Sequence, residues 1–256
     1  MFKDIKQVMK DSVLYGIGNV AVKLVGFILI PLYTDAEYFS TADYGLMGLL
    51  EVTSQILIAV MGLSLYSGLI RWYWDAEYRD KQKTIFFTTL LFTILTSLCI
   101  GSVLWLNVGE LSALLVQQEG YSLGGELPYI LQLLILTSML GAVVEVPQNL
   151  LRLQRKPIYY SLTNIVRLFV TLVLTIYFTI SLHRGVSGVY EAQLVGIVIQ
   201  LLMVLPLVIK NSSCRVDRKC TIQLLVYSYP LVFPAIVGSL LFKDWMMLVF
   251  IVWDIK

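Results

Sequence analysis

An all-α, polytopic transmembrane bundle of about seven spans is the fold that three observations predict. Hydrophobic residues make up 58% of the chain and charged residues only 14%, whereas about a quarter of a soluble domain is charged. The apolar residues fall into runs near the ~20 residues needed to cross the hydrocarbon core. The basic residues collect in alternate loops, as they do in cytoplasmic connections.

The chain opens on Lys3, Lys6 and Lys10 ahead of an apolar run. That run is too long for the apolar core of a signal peptide, and no small-x-small cleavage site follows it, so it reads as a retained first helix. This span covers about Ser12 to Tyr33, with Ser12, Gly16, Asn19, Lys23 and Gly26 on one face. Lys23 is halfway along, too deep to snorkel. It either lines a cavity or pairs with Glu51 or Glu145 to hold helices together.

A short acidic loop, Thr34 to Asp43, leads to span two, about Tyr44 to Ile70, where Gly48, Glu51, Gln55 and Gly62 align. Small residues there let neighbouring backbones approach. The next loop, Arg71 to Lys83, opens Arg71-Trp72-Tyr73-Trp74, a composition suited to the membrane interface. Span three, Thr84 to Leu106, carries no charge, and the segment Asn107 to Leu127 is acidic and free of Lys and Arg.

Span four (about Pro128 to Leu151) and span five (about Ile158 to Ile180) flank the basic hinge Arg152 to Pro157. On the first, Thr137, Gly141, Glu145, Gln148 and Arg152 recur at three- and four-residue steps. On the second, Tyr160, Asn164, Arg167, Thr171 and Thr175 do the same. Each helix is therefore hydrocarbon around most of its circumference with one polar stripe. A charge at the centre of a membrane helix costs about 2.5–3.5 kcal/mol on insertion scales and normally faces a bundle interior or a water-filled cavity. Pro147 either kinks span four or ends it.

Span six, about Gly188 to Ile209, aligns Gln193, Gly196 and Gln200. The basic loop Lys210 to Lys219 follows, and span seven begins near Thr221 with Pro230 and Pro234. This divides the chain into six spans (1–209), a basic linker (210–220) and a seventh span (221–256). The loops after spans two, four and six are basic, and only His183 and Arg184 put basic residues on the other side. The positive-inside rule then places the N-terminus in the cytoplasm of a multi-pass inner-membrane protein.

The sequence carries no G-x-x-x-x-G-K-[ST], H-E-x-x-H, G-x-S-x-G or paired-cysteine motif. Cys99, Cys214 and Cys220 form neither a disulfide framework nor a zinc set, and His183 reads as a surface residue. Membrane glycosyltransferases and polymerases usually need a large extramembrane loop, and the longest outer loop here is only about 20 residues, within the range of ordinary connections although loops over ~12–15 are less common. The expectation is a non-enzyme that needs no cofactor, metal or nucleic acid. Lys23, Glu51, Glu145, Arg167, Asn19, Gln55 and Asn164 are the candidate cavity residues, and Arg71 and Arg152 are candidates for a cytoplasmic entrance. Cations in a partly dry cavity suit a phosphate or diphosphate, and carboxylates there can titrate or pair with them. A network of ion pairs locking helices together accounts for the same residues.

Several segments carry a family resemblance. Asp11-Ser12-Val13-Leu14-Tyr15-Gly16-Ile17-Gly18-Asn19 through Lys23, Gly26, Pro31-Leu32-Tyr33-Thr34 and Asp43-Tyr44-Gly45 resembles the first helix and turn of bacterial polysaccharide-biosynthesis flippases. These are the oligosaccharide-lipid members of the multidrug/oligosaccharidyl-lipid/polysaccharide (MOP) exporter superfamily. Pro147 to Arg155, Tyr159 to Tyr177, Gly185-Val186-Ser187-Gly188 and Tyr227-Ser228-Tyr229-Pro230-Leu231-Val232 resemble later parts of the same fold, in order and spacing. The resemblance implies one lobe of a two-lobe transporter that moves polyprenyl-diphosphate-linked oligosaccharide outward for O-antigen, capsule or exopolysaccharide synthesis, with Lys23 and Arg167 facing the cavity. It implies membrane lipids, a polysaccharide polymerase and glycosyltransferases as partners.

The tail Phe242-Lys243-Asp244-Trp245-Met246-Met247 departs from that pattern. A truncated, frameshifted or fragmentary second lobe is expected, leaving this chain inactive alone. A cation-coupled multidrug exporter of the same superfamily and a non-transporting scaffold for glycan-assembly enzymes are the other readings.

Overall fold

The computed structural model describes residues 29–33, 35, 37–116, 125–213 and 215–238. The described residues form helices and their connections, and six of the segments are long and apolar enough to cross a membrane. They follow the second to seventh predicted spans in order, and residues 29–33 are helical as the end of the first. Helices alone suit such a chain, because every backbone polar group in hydrocarbon must be satisfied within its own segment.

Helix α1 (Thr41–Gly62) starts from a reciprocal cap. The Asp43 backbone N–H donates to Ser40 Oγ at 3.1 Å, and the Ser40 N–H donates to Asp43 Oδ2 at 2.9 Å, so two orphan donors of the first turn are satisfied at once. The second span is not the single helix that its composition predicts. Leu63 and Ser64 both turn left-handed, at φ of 45° and 49°, and the chain restarts as α2 (Leu65–Trp72). Neither residue is glycine, so the break carries strain of about 1–3 kcal/mol per residue. The helices around it hold it in place: α1 packs on the third and fourth spans, and α2 on the third, fourth and seventh.

A 3₁₀ turn (Ala76–Lys81) leads into α3 (Gln82–Leu106). The acidic segment expected as a connection is partly helical, forming α4 (Val108–Val116). Helix α5 (Leu127–Leu153) is the most buried span and contacts α1, α3 and the later helices. Pro147 stands inside α5 and is buried, and the helix continues to Leu153, so the proline is not its end. Helix α6 (Pro157–Ile176) closes on a π turn (Tyr177–Ser181), and α7 (Gly185–Asn211) returns along both α5 and α6. Helix α8 (Arg218–Ser228) continues through a 3₁₀ turn into further helix up to residue 238.

The basic connections meet at one end of the bundle. Gln154 Nε2 donates to Asn211 Oδ1 at 2.8 Å and to the Tyr73 hydroxyl at 3.2 Å, which joins all three loops. Lys81 Nζ pairs with Asp217 at 2.8 Å. That bond and the Lys219 N–H hold the Asp217 carboxyl below its ordinary range. The pair is solvated, so it registers the chain more than it stabilises it. At the acidic end Glu191 accepts from Tyr129 at 2.8 Å and pairs with Arg184.

Helices α6 and α7 lie so close at Gly196 that a β-carbon there would sit 2.1 Å from Thr171 Oγ1 and 3.2 Å from the Arg167 carbonyl. A side chain would force the pair apart, and overpacking of this kind costs about 1–3 kcal/mol. Gly196→Val is expected to lower the thermal unfolding midpoint in detergent, whereas Gly45→Ala, with nothing among the described residues within 4 Å of the added carbon, does not lower it.

Candidate functional site

The polar stripe of α6 is built against α7. Arg167 is ten residues from the start of its helix, about 15 Å along the axis and close to mid-membrane. A guanidinium at that depth requires acceptors. Its Nη1 donates to Gln200 Oε1 at 3.1 Å, Gln200 Nε2 donates to Asn164 Oδ1 at 2.9 Å, and Asn164 Nδ2 donates to the Tyr160 carbonyl at 3.0 Å. Gln200 is buried, and the close approach at Gly196, one turn away, brings it within reach. Arg167 and Asn164 are therefore tied into one chain by a residue of span six that was not among the candidates. The signal for it was the Gln193, Gly196, Gln200 alignment.

Glu51 is likewise ten residues from the start of α1, at the same depth as Arg167. Both Glu51 and Gln55 are exposed, and Gln55 Nε2 donates to Glu51 Oε1 at 3.1 Å. The carboxylate lies within electrostatic reach of Arg167, Tyr33 and Tyr190. Helices α1 and α6 do not pack substantially on each other, so the acid and the guanidinium interact at a distance and not through a helix contact. Among the described residues no cation stands within ion-pairing distance of Glu51 or Glu145. Lys23 and Asn19 lie outside the described residues.

A second polar tier sits nearer the basic end. The guanidinium of Arg152 lies over the Tyr160 ring, 4.6 Å from its centroid, donates to the Tyr160 hydroxyl, and reaches Asn149 Oδ1 at 3.5 Å. Glu145, partly buried two turns up the same helix, feels that positive charge, and Tyr66 of α2 lies within reach of both. Gln148 is buried and donates to Thr163 Oγ1 at 2.9 Å, leaving its own carbonyl oxygen without a partner. Arg71 is elsewhere on this level, its guanidinium 5.2 Å from the Tyr227 ring centroid of α8.

The candidates therefore form two tiers: Glu51, Gln55, Asn164 and Arg167 near mid-membrane, and Glu145 with Arg152 toward the basic end. Arg71 is stacked on a different helix from Arg152. No group of three or more His, Cys, Asp or Glu among the described residues is placed to hold a metal. Cys99 is exposed and Cys220 buried, both as free thiols.

In this geometry Gln200 is the acceptor that makes a mid-membrane arginine tolerable. Gln200→Leu is expected to destabilise the chain by about 1.5–3 kcal/mol, the usual worth of a hydrogen bond to a charged group. Paired with Arg167→Leu, the loss is expected to be smaller than the sum of the two single changes, measured as a double-mutant cycle of unfolding midpoints.

No family profile and no curated protein matches the sequence. Solved structures do match the fold. A MATE transporter in a straight conformation superposes with a TM-score of 0.72 at 18% identity, over 94% of this chain and 54% of that one. A MOP-superfamily transporter from Pyrococcus furiosus gives 0.71 at 19% identity, over 94% and 54%. A Vibrio cholerae MATE transporter gives 0.67 at 16%, over 92% and 53%. The chain thus spans about half the length of the structures it matches, and what it shares with them, at identities this low, is the helical fold of MOP-superfamily transporters.

Proposed function

We propose that this chain is the N-terminal lobe of an ion-coupled exporter that carries amphipathic organic cations across the cytoplasmic membrane. The observation that carries the reading is Glu51. It is an exposed carboxylate at mid-membrane depth, within electrostatic reach of Arg167, on a fold shared with MATE transporters, one of them described as a multidrug resistance transporter. A carboxylate in a low-dielectric cavity must be neutralised. A proton or a metal cation and a cationic substrate compete for that role, so loading one releases the other. Such exclusion couples export to an ion gradient without any catalytic residue, in keeping with the lack of catalytic motifs. The basic end faces the cytoplasm by the positive-inside rule.

A second reading, flipping of a lipid-linked oligosaccharide, is favoured by the two arginines at the basic end. Arg71 and Arg152 are each stacked on a tyrosine, which positions a guanidinium and leaves N–H edges for a phosphate. Polysaccharide polymerases and glycosyltransferases are partners only under this reading, which also has the sequence resemblance behind it.

The two readings separate in a host deleted for its own exporters, carrying the full-length protein that contains this lobe. The first predicts at least a tenfold loss of cationic-dye efflux in Glu51→Gln at an unchanged protein level, with surface polysaccharide intact. Normal efflux in Glu51→Gln, with surface polysaccharide lost in Arg152→Gln, would replace it with the second.

A further inference from the structure

We infer that the junction between the broken second span and α8 is a binding site for one anionic phospholipid. One acyl chain lies in a notch at the helix break, and the phosphate sits at Arg218.

The notch is a cavity of about 430 Å³ lined by Leu63, Leu65, Leu225, Val226 and Tyr229. It exists because of two local features. At Gly68 the two helices press together, and an added β-carbon there would lie 2.6 Å from Leu224 Cδ2 and 3.1 Å from Ser228 Oγ. At Leu63 and Ser64 the left-handed break stops the second span from following α8 further. Continuous helices would pack along their whole length. Here the contact is tight at Gly68 and gives way to a recess at the break.

The occupant follows from the surface that leads to the recess. On α8 and its continuation, Arg218, Ile222, Val226, Tyr229 and Phe233 recur at steps of four, four, three and four, which puts them on one face. All are exposed, Val226 at 71%. The face is apolar except at its end, where the Arg218 guanidinium has no acidic partner among the described residues. From Arg218 to Val226 is eight residues, about 12 Å along the helix, close to the ~15 Å depth of one hydrocarbon leaflet. A phospholipid anchored at Arg218 therefore reaches the recess with the inner part of one acyl chain.

The acyl chain gains no hydrophobic energy on leaving bulk lipid for the recess, so shape and headgroup charge decide its retention. One arginine near the surface is worth about 1 kcal/mol toward an anionic lipid, about a fivefold preference. This site does not depend on what the protein transports.

Native mass spectrometry of the protein released from nanodiscs of equal phosphatidylglycerol and phosphatidylcholine tests it. The wild type is expected to retain one lipid, phosphatidylglycerol about fivefold over phosphatidylcholine. Arg218→Gln keeps a lipid and loses the preference, and Val226→Trp, which fills the recess from an exposed position, loses the retained lipid. Unfolding midpoints recorded in parallel confirm that both variants are folded. Retention of the same lipid by folded Val226→Trp, or an unchanged preference in Arg218→Gln, would overturn the site. So would disulfide formation between two copies of Val226→Cys, which would make the occupant a protein surface.

Discussion

A guanidinium at the middle of a bilayer is the constraint around which this bundle is arranged. Arg167 finds its acceptor on a neighbouring helix that comes very close. Gly196 permits that approach and Gln200 uses it, relaying the hydrogen bonding to Asn164 and the Tyr160 carbonyl. With α6 and α7 joined this way, α5 is the most buried span of the bundle, and α1 packs on α5 and α3 without packing substantially on α6. The same arrangement places Glu51 at the level of Arg167 without letting the two form a contact pair.

This arrangement also divides the labour of the charged residues. Helix-locking and cavity-lining stood as rival explanations for one set of side chains, and hydrogen bonding divides that set in two. Asn164 and part of Arg167 are spent on α7, as a lock requires. Among the described residues the Glu51 and Gln55 side chains bond to each other and to no other side chain, and both remain exposed. Near the basic end Arg152 is held by Tyr160 and Asn149, while Glu145 is left without a partner of its own among the described residues.

Much of this was legible in the residues. Span order follows from apolar run length, and the gathering of basic loops at one end follows from alternating charge; Gln154 bonding to both Asn211 and Tyr73 shows that gathering directly. The stripes on spans four and five identified helix faces correctly, because a 3.6-residue repeat fixes which side chains share a side. What they face was not legible, since periodicity says nothing about the neighbour; Gln200 became Arg167's partner only when Gly196 set the helix separation. The break at Leu63–Ser64 was not read either, although Gly62 stands immediately before it. A glycine in an apolar run serves close helix packing as readily as a break. Conversely Pro147 looked like a candidate terminus, yet α5 continues because surrounding helices bury it on all sides.

The central claim is that the Glu51 face borders water rather than lipid. Cysteine accessibility tests it most directly, in a background freed of Cys99, Cys214 and Cys220. A hydrophilic maleimide added to the intact protein in liposomes is expected to label Gln55→Cys quickly and to leave Val103→Cys, on the exposed apolar face of α3, unlabelled. Equal resistance at both positions would show that the carboxylate looks into hydrocarbon, and the carrier reading of this lobe would fail with it.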